Sequence, residues 1–186
     1  MKTLFYRIGY GMVFVMFNIR VVVDLLPNTI GYLMILSALS SLRQKERSFG
    51  IGMWAAGVLA VIAIPHFFRE DALNLDNPAS SLNLGLILDQ LEMLLQWVLM
   101  YSICAGSAKL VSYRGNQPLV SSIRFRWWFF FGSSSIVMIA YPFILNTDAI
   151  AFILFGTVAA WIALFMIMLI LRQVGRELEA PFERFI

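Results

Sequence analysis

From Ala149 to Leu171 the chain runs 23 residues without a charge, and no other feature constrains its fold as tightly. A helix crossing a hydrocarbon layer of about 30 Å needs about 20 predominantly apolar residues, whereas a surface helix of a soluble domain carries a polar face. Further apolar stretches precede this one, separated by short polar breaks. Over all 186 residues, 60% are apolar and 13% charged, against roughly 45–50% and about 25% in soluble domains. Lipid offers backbone N–H and C=O groups no partner, so spanning segments must satisfy their own, as helices do. The expected fold class is therefore all-α: a polytopic transmembrane helix bundle of six spans, one domain over 1–186, with N-terminus and C-terminus both cytoplasmic.

The predicted spans are about 4–23, 29–42, 49–68, 84–108, 127–145 and 149–171, and 172–186 reads as an amphipathic tail on the inner surface. Asp24 to Asn28 supplies the first break, because Pro27 cannot continue a helix. Arg43 to Arg47 supplies the second, Arg69 to Ser81 the third, Lys109 to Arg126 with its Gly115-Asn116-Gln117-Pro118 turn the fourth, and Asn146 to Asp148 the fifth. The first run has no small-residue cleavage site after it and is expected to stay as a helix.

Orientation follows from the basic residues. With the N-terminus inside, Lys2, Arg7, Arg43, Lys45, Arg47, Lys109, Arg114, Arg124, Arg126, Arg172, Arg176 and Arg184 fall on the inner side, twelve of the fourteen Lys and Arg residues, and only Arg20 and Arg69 lie outward. The net charge of +3 is thus explained by topology, and no nucleic-acid partner is implied. The implied partner is the lipid bilayer. Trp127-Trp128 beside Arg124 and Arg126 read as an aromatic and basic anchor at the inner interface, not as a binding box.

Ionisable groups within an apolar slab cost roughly 2.5–3.5 kcal/mol each on insertion scales, which makes them functional candidates. Arg20 and Asp24 are four residues apart and would share one helical face. Asp89, Glu92 and Gln96 follow an i, i+3, i+7 rhythm and project from one face of the fourth segment. His66, the single histidine, stands at the outer end of the third. All share the outer half of the bundle with Asn18, Asn28 and Gln90, so the expected binding residues are Arg20, Asp24, His66, Asp89, Glu92 and Gln96. Arg20 would pair with Glu92 or Asp89, leaving the remaining groups for a cation, a proton or a polar solute. The plainer reading stands beside it: Asp89 and Glu92 at the headgroup layer, Arg20 snorkelling outward, and His66 interfacial.

Known chemistries find no template. One histidine cannot supply the zinc-protease His-Glu-x-x-His pattern, and no glycine-rich phosphate loop is present. Ser133-Ser134-Ser135 lack a base at matching depth, and the lone Cys104 excludes a dithiol relay. Catalytic residues, cofactors and metals are therefore all expected to be none. Gly52, Ala56 and Ala60 place small residues along one face of the third segment, for packing within the bundle or for docking a second membrane subunit; Gly156 and Ala160 repeat the pattern in the sixth.

The stretch Asp24-Leu25-Leu26-Pro27-Asn28-Thr29-Ile30-Gly31-Tyr32, preceded by Asn18 and Arg20, resembles a group of small, uncharacterised integral membrane proteins of Gram-positive bacteria. The resemblance implies a multi-pass protein of the bacterial cytoplasmic membrane. In size and span count the chain is also similar to the substrate-binding subunits of energy-coupling vitamin transporters, a likeness of shape alone. The expected function is a small-solute or ion-binding membrane protein, a transporter or transporter subunit with its polar site in the outer half. The alternative is a non-catalytic interaction or assembly protein that docks another membrane component.

Overall fold

The computed structural model describes residues 1–16, 20–21, 23–24, 28–68, 78–140 and 147–179; within these, the side chains at 20–21, 23–24, 65–68, 78–87, 89 and 147–150 are outside the description. Among the described residues the chain is all-helical apart from one very short strand pair: α1 Lys2–Met16, β1 Arg20–Val21, β2 Val23–Asp24, α2 Asn28–Leu42, α3 Ser48–Phe68, α4 Pro78–Ser112, α5 Gln117–Ala140 and α6 Thr147–Glu177. Each helix packs on the next, and α1 closes the ring against α6. Of these, α4 from Gln90 to Ser112 and α6 from Ala151 to Glu177 are long and apolar enough to cross a membrane, and α6 is largely uncovered by the rest of the chain.

Helix boundaries differ from the sequence expectation, α4 among them, which begins at Pro78 and not at about 84. The first helix stops at Met16, not Val23, and β1 pairs antiparallel with β2. Three successive valines at 21–23 explain it, because branching at Cβ restricts χ1 in a helix and favours extended backbone. The fourth break narrows to Tyr113–Asn116: Gly115 adopts φ 76° after α4, and the Asn116 side-chain oxygen accepts the Leu119 N–H at 3.2 Å, capping α5 ten residues before Trp127. Pro118 is tolerated there, since a first-turn N–H has no helical partner to lose. Finally, α6 carries on through Arg172 to Glu177 instead of yielding to a separate surface tail.

Hydrogen bonds and ion pairs gather one set of helix ends. Lys2 of α1 meets Glu179 at 3.1 Å, Lys109 of α4 meets Glu46 in the α2–α3 turn at 3.0 Å, and Arg114 donates to the carbonyls of Glu177 and Leu178 at 2.9 and 2.8 Å. The N-terminus, both tight turns and the end of α6 thus lie together. The half of the bundle nearest this end holds a dry core of Phe5, Ile8, Leu39, Leu42, Phe49, Ile103, Ile123 and Val174.

Small residues set how closely the helices approach. A Cβ on Gly11 of α1 would stand 2.7 Å from the Gly31 carbonyl oxygen, and a Cβ on Gly31 would stand 2.7 Å from that of Gly11. Gly52, Ala56 and Ala60 are buried within the chain: a Cβ on Gly52 would meet Ser102 of α4 and Leu39 of α2. The face weighed for a second subunit is therefore covered by the chain's own helices. Gly156 of α6 lies likewise against Ser133 and Val137 of α5.

Valine at Gly31 is expected to destabilise the α1–α2 crossing by about 1–3 kcal/mol through overpacking. Alanine at Gly132, where an added Cβ meets nothing within 4 Å, is expected to raise stability by about 0.5–1 kcal/mol by restricting the unfolded backbone; unfolding of the detergent-solubilised chain reads both. A pH effect follows from Glu46, whose carboxyl is held below the usual carboxylate value by the Lys109 ammonium bonded to it, aided by the Ser48 N–H and hydroxyl. A depressed carboxyl stabilises above its unfolded value of about 4.5 and loses that contribution as pH falls through its folded value. Melting temperatures of the wild type and Glu46→Gln should therefore differ at neutral pH and converge in acid.

Candidate functional site: a polar cluster between α2 and α4

Tyr32 sits one turn into α2, with its side chain only 1% exposed. A phenol that deep needs a partner for its hydroxyl, and α4 supplies it from across the bundle. The Tyr32 hydroxyl donates to Glu92 Oε1 at 3.2 Å, and Gln96 Nε2 donates both to the Tyr32 oxygen at 3.1 Å and to Glu92 Oε1 at 3.3 Å. Glu92 and Gln96 are one helical turn apart, so both reach the same side of α4. At 1.5 Å per residue, Glu92 lies about 25 Å along α4 from Lys109, well away from the charged end and its dry core. Asn28, one turn before Tyr32 on the same face of α2, has a buried side-chain oxygen with no hydrogen-bond partner among the described residues.

The chemistry of this cluster is acceptor-rich: a carboxylate, a phenol oxygen and an amide oxygen. Such a set suits a cation or the donor groups of a polar solute.

Of the six residues singled out from sequence, the structure brings Glu92 and Gln96 together. Arg20 and Asp24 do not share a helical face: they are partners across the β1–β2 pair, because the valines between them pull the segment out of the helix. Their side chains lie outside the described residues, as do those of His66 in the last turn of α3 and Asp89 in α4. Asn18 lies outside them entirely. Tyr32 was not singled out as a site residue, although it ends the Asp-Leu-Leu-Pro stretch; the available signal was a hydroxyl in an otherwise apolar helix turn.

The serine run 133–135 of α5 is engaged with backbone one turn back. Ser133 and Ser135 donate to the Phe129 and Phe131 carbonyls at 2.9 and 2.7 Å, and Ser134 donates to that of Phe130 while accepting Trp97 Nε1–H at 3.0 Å. Among the described residues no three His, Cys, Asp or Glu side chains converge.

A double-mutant cycle tests the cluster. Tyr32→Phe and Glu92→Gln should each destabilise the solubilised chain, and the pair should couple by about 1.5–3 kcal/mol, the net scale of a hydrogen bond to a charged group. Strictly additive losses would mean that the two side chains do not interact.

No protein-family model matches this chain, and no curated protein or solved structure matches it at a significant level.

Proposed function

We propose that the chain is a multi-pass protein of the bacterial cytoplasmic membrane that binds a small cation or polar solute at the Tyr32–Glu92–Gln96 cluster, as a transporter or a transporter subunit. Membrane residence is supported by what faces outward. On α3, Ile51, Trp54, Val58, Val61 and Ile64 form one exposed stripe, with Trp54 72% exposed; on α6, Phe152, Phe155, Val158, Ile162, Phe165 and Leu169 form another. Apolar bands of that length exceed the patches of a few hundred Å² typical of soluble monomers. Six crossings fit the gathering of the chain ends and tight turns at one end of the bundle, and the basic residues of those turns make that end the cytoplasmic one. The 15-residue helices α1 and α2 span only about 22 Å each, a mismatch that local thinning of the bilayer accommodates at modest cost.

The observation that carries the binding role is the partly buried Glu92 carboxylate, held by two helices in the outer half, with the unpartnered Asn28 oxygen one turn above Tyr32. A carboxylate is costly to place in an apolar slab and is a functional candidate there, and oxygen acceptors of this kind suit a cation. The dry core beneath closes the site toward the cytoplasm in this conformation. The interaction reading takes the same three side chains as a clasp that fastens α2 to α4 and binds nothing.

Thermal unfolding of the purified chain in a neutral detergent, with lithium, sodium, potassium, magnesium or an organic cation added, separates the two. Binding predicts that one of them stabilises the wild type by about 2.7 kcal/mol at a hundredfold excess over its Kd, and that Glu92→Gln abolishes this response. If no added ion or solute shifts the wild type while Glu92→Gln and Tyr32→Phe still lower its melting temperature, the clasp is the correct reading.

A further inference from the structure

A cavity lies at the opposite end of the bundle from the Tyr32 cluster, between the last three turns of α4 and the first three of α5. It encloses about 470 Å³, within the range of small-ligand sites. Its space arises because α4 presents small side chains there, Cys104, Ala105 and Ala108, while α5 is held off by its aromatic residues. The lining changes character with depth. Lys109 and Gln117 stand near the α4–α5 turn, Arg124 about two turns into α5, and Tyr101, Trp127 and Trp128 about one turn deeper than Arg124. Tyr101 and Trp127 close the deep end edge to face, with ring centroids 5.4 Å apart.

The two cations are differently engaged. Lys109 uses one N–H on Glu46 and keeps two. Arg124 is exposed and makes no hydrogen bond or ion pair with any described residue. Its neighbour Arg126 is committed elsewhere, donating to the Met166 carbonyl of α6 at 2.7 Å. The tryptophans and Arg124, read from sequence as a simple anchor, thus form one wall of a graded groove with Lys109 opposite.

We infer that this groove is a binding site for one anionic phospholipid of the cytoplasmic leaflet, its phosphate at Lys109 and Arg124 and the start of an acyl chain against Tyr101, Trp127 and Trp128. Charge complementarity selects an anion, and the aromatic floor selects an occupant with an apolar extension, which a free phosphate lacks. Basic pockets between helices on the cytoplasmic side are where anionic headgroups are bound. The inference rests on the membrane reading above but not on ligand binding at Glu92.

Native mass spectrometry of the full chain, released from neutral detergent with equal amounts of phosphatidylglycerol and phosphatidylcholine, tests it. The expected result is preferential retention of one phosphatidylglycerol, reduced about fivefold by Arg124→Gln, the scale of one basic residue facing anionic lipid, and lost in Ala105→Phe, which fills the groove without changing charge. Arg47→Gln, exposed at the same end but outside the groove, should leave the ratio unchanged. Because Arg124 and Arg47 are both exposed, those two variants carry the test even if Ala105→Phe fails to fold. Equal retention of the two lipids, an equal effect of Arg47→Gln, or displacement of the lipid by millimolar inorganic phosphate would each overturn the assignment. A chain that stays soluble without detergent would instead refute the membrane reading itself.

Discussion

Ser102 of α4 enters the first turn of α3 as though it belonged to that helix. Its hydroxyl donates to the Ser48 carbonyl at 2.6 Å and accepts the Gly52 N–H at 2.9 Å, standing between two groups that an ordinary turn would join directly. Only glycine at 52 leaves room for it. The same helix also reaches α2, α5 and α6 through polar side chains: Trp97 to Ser134 of α5, Glu92 and Gln96 to Tyr32 of α2, Lys109 to the α2–α3 turn, and Arg114, just past its end, to the last carbonyls of α6. In the proposed bilayer setting, apolar contact between helices is no better than contact with lipid, and hydrogen bonds with close packing of small residues carry the association. The polar residues of α4 therefore explain how six apolar helices settle into one arrangement.

That arrangement divides the molecule along its length. Around the N-terminus and the end of α6, large apolar side chains interlock, and the buried polar groups near them are Ser102, bonded to α3, and Ser107, whose hydroxyl makes no hydrogen bond among the described residues. Toward the other end the interior admits a phenol, a carboxylate and two amides. Under the proposed function the Tyr32–Glu92–Gln96 cluster would take its ligand from the end away from the charged turns, and the groove between α4 and α5 is separate from that cluster.

Much of this was legible in the residues. Length and apolarity settled the helical class, and the clustering of Lys and Arg marked which ends belong together. The i, i+4 relation of Glu92 and Gln96 was also readable, because spacing along one helix needs no knowledge of the fold. Arg20 and Asp24 misled for the complementary reason: a helical face exists only if the segment is helical, and the three valines between them favour extension over a four-residue relation that assumes a turn.

By itself, then, the sequence determined the all-helical class, the approximate helix positions, the small-residue face at Gly52, Ala56 and Ala60, and the polar face of α4, all consequences of composition and periodicity within single segments. Only the tertiary structure decided that Tyr32 is the partner of Glu92, that Ser102 lies inside the start of α3, and that Lys109 and Arg124 face one groove. Each of those joins residues far apart in the chain, and which helix neighbours which is set by the mutual fit of all six, a property that no single segment contains.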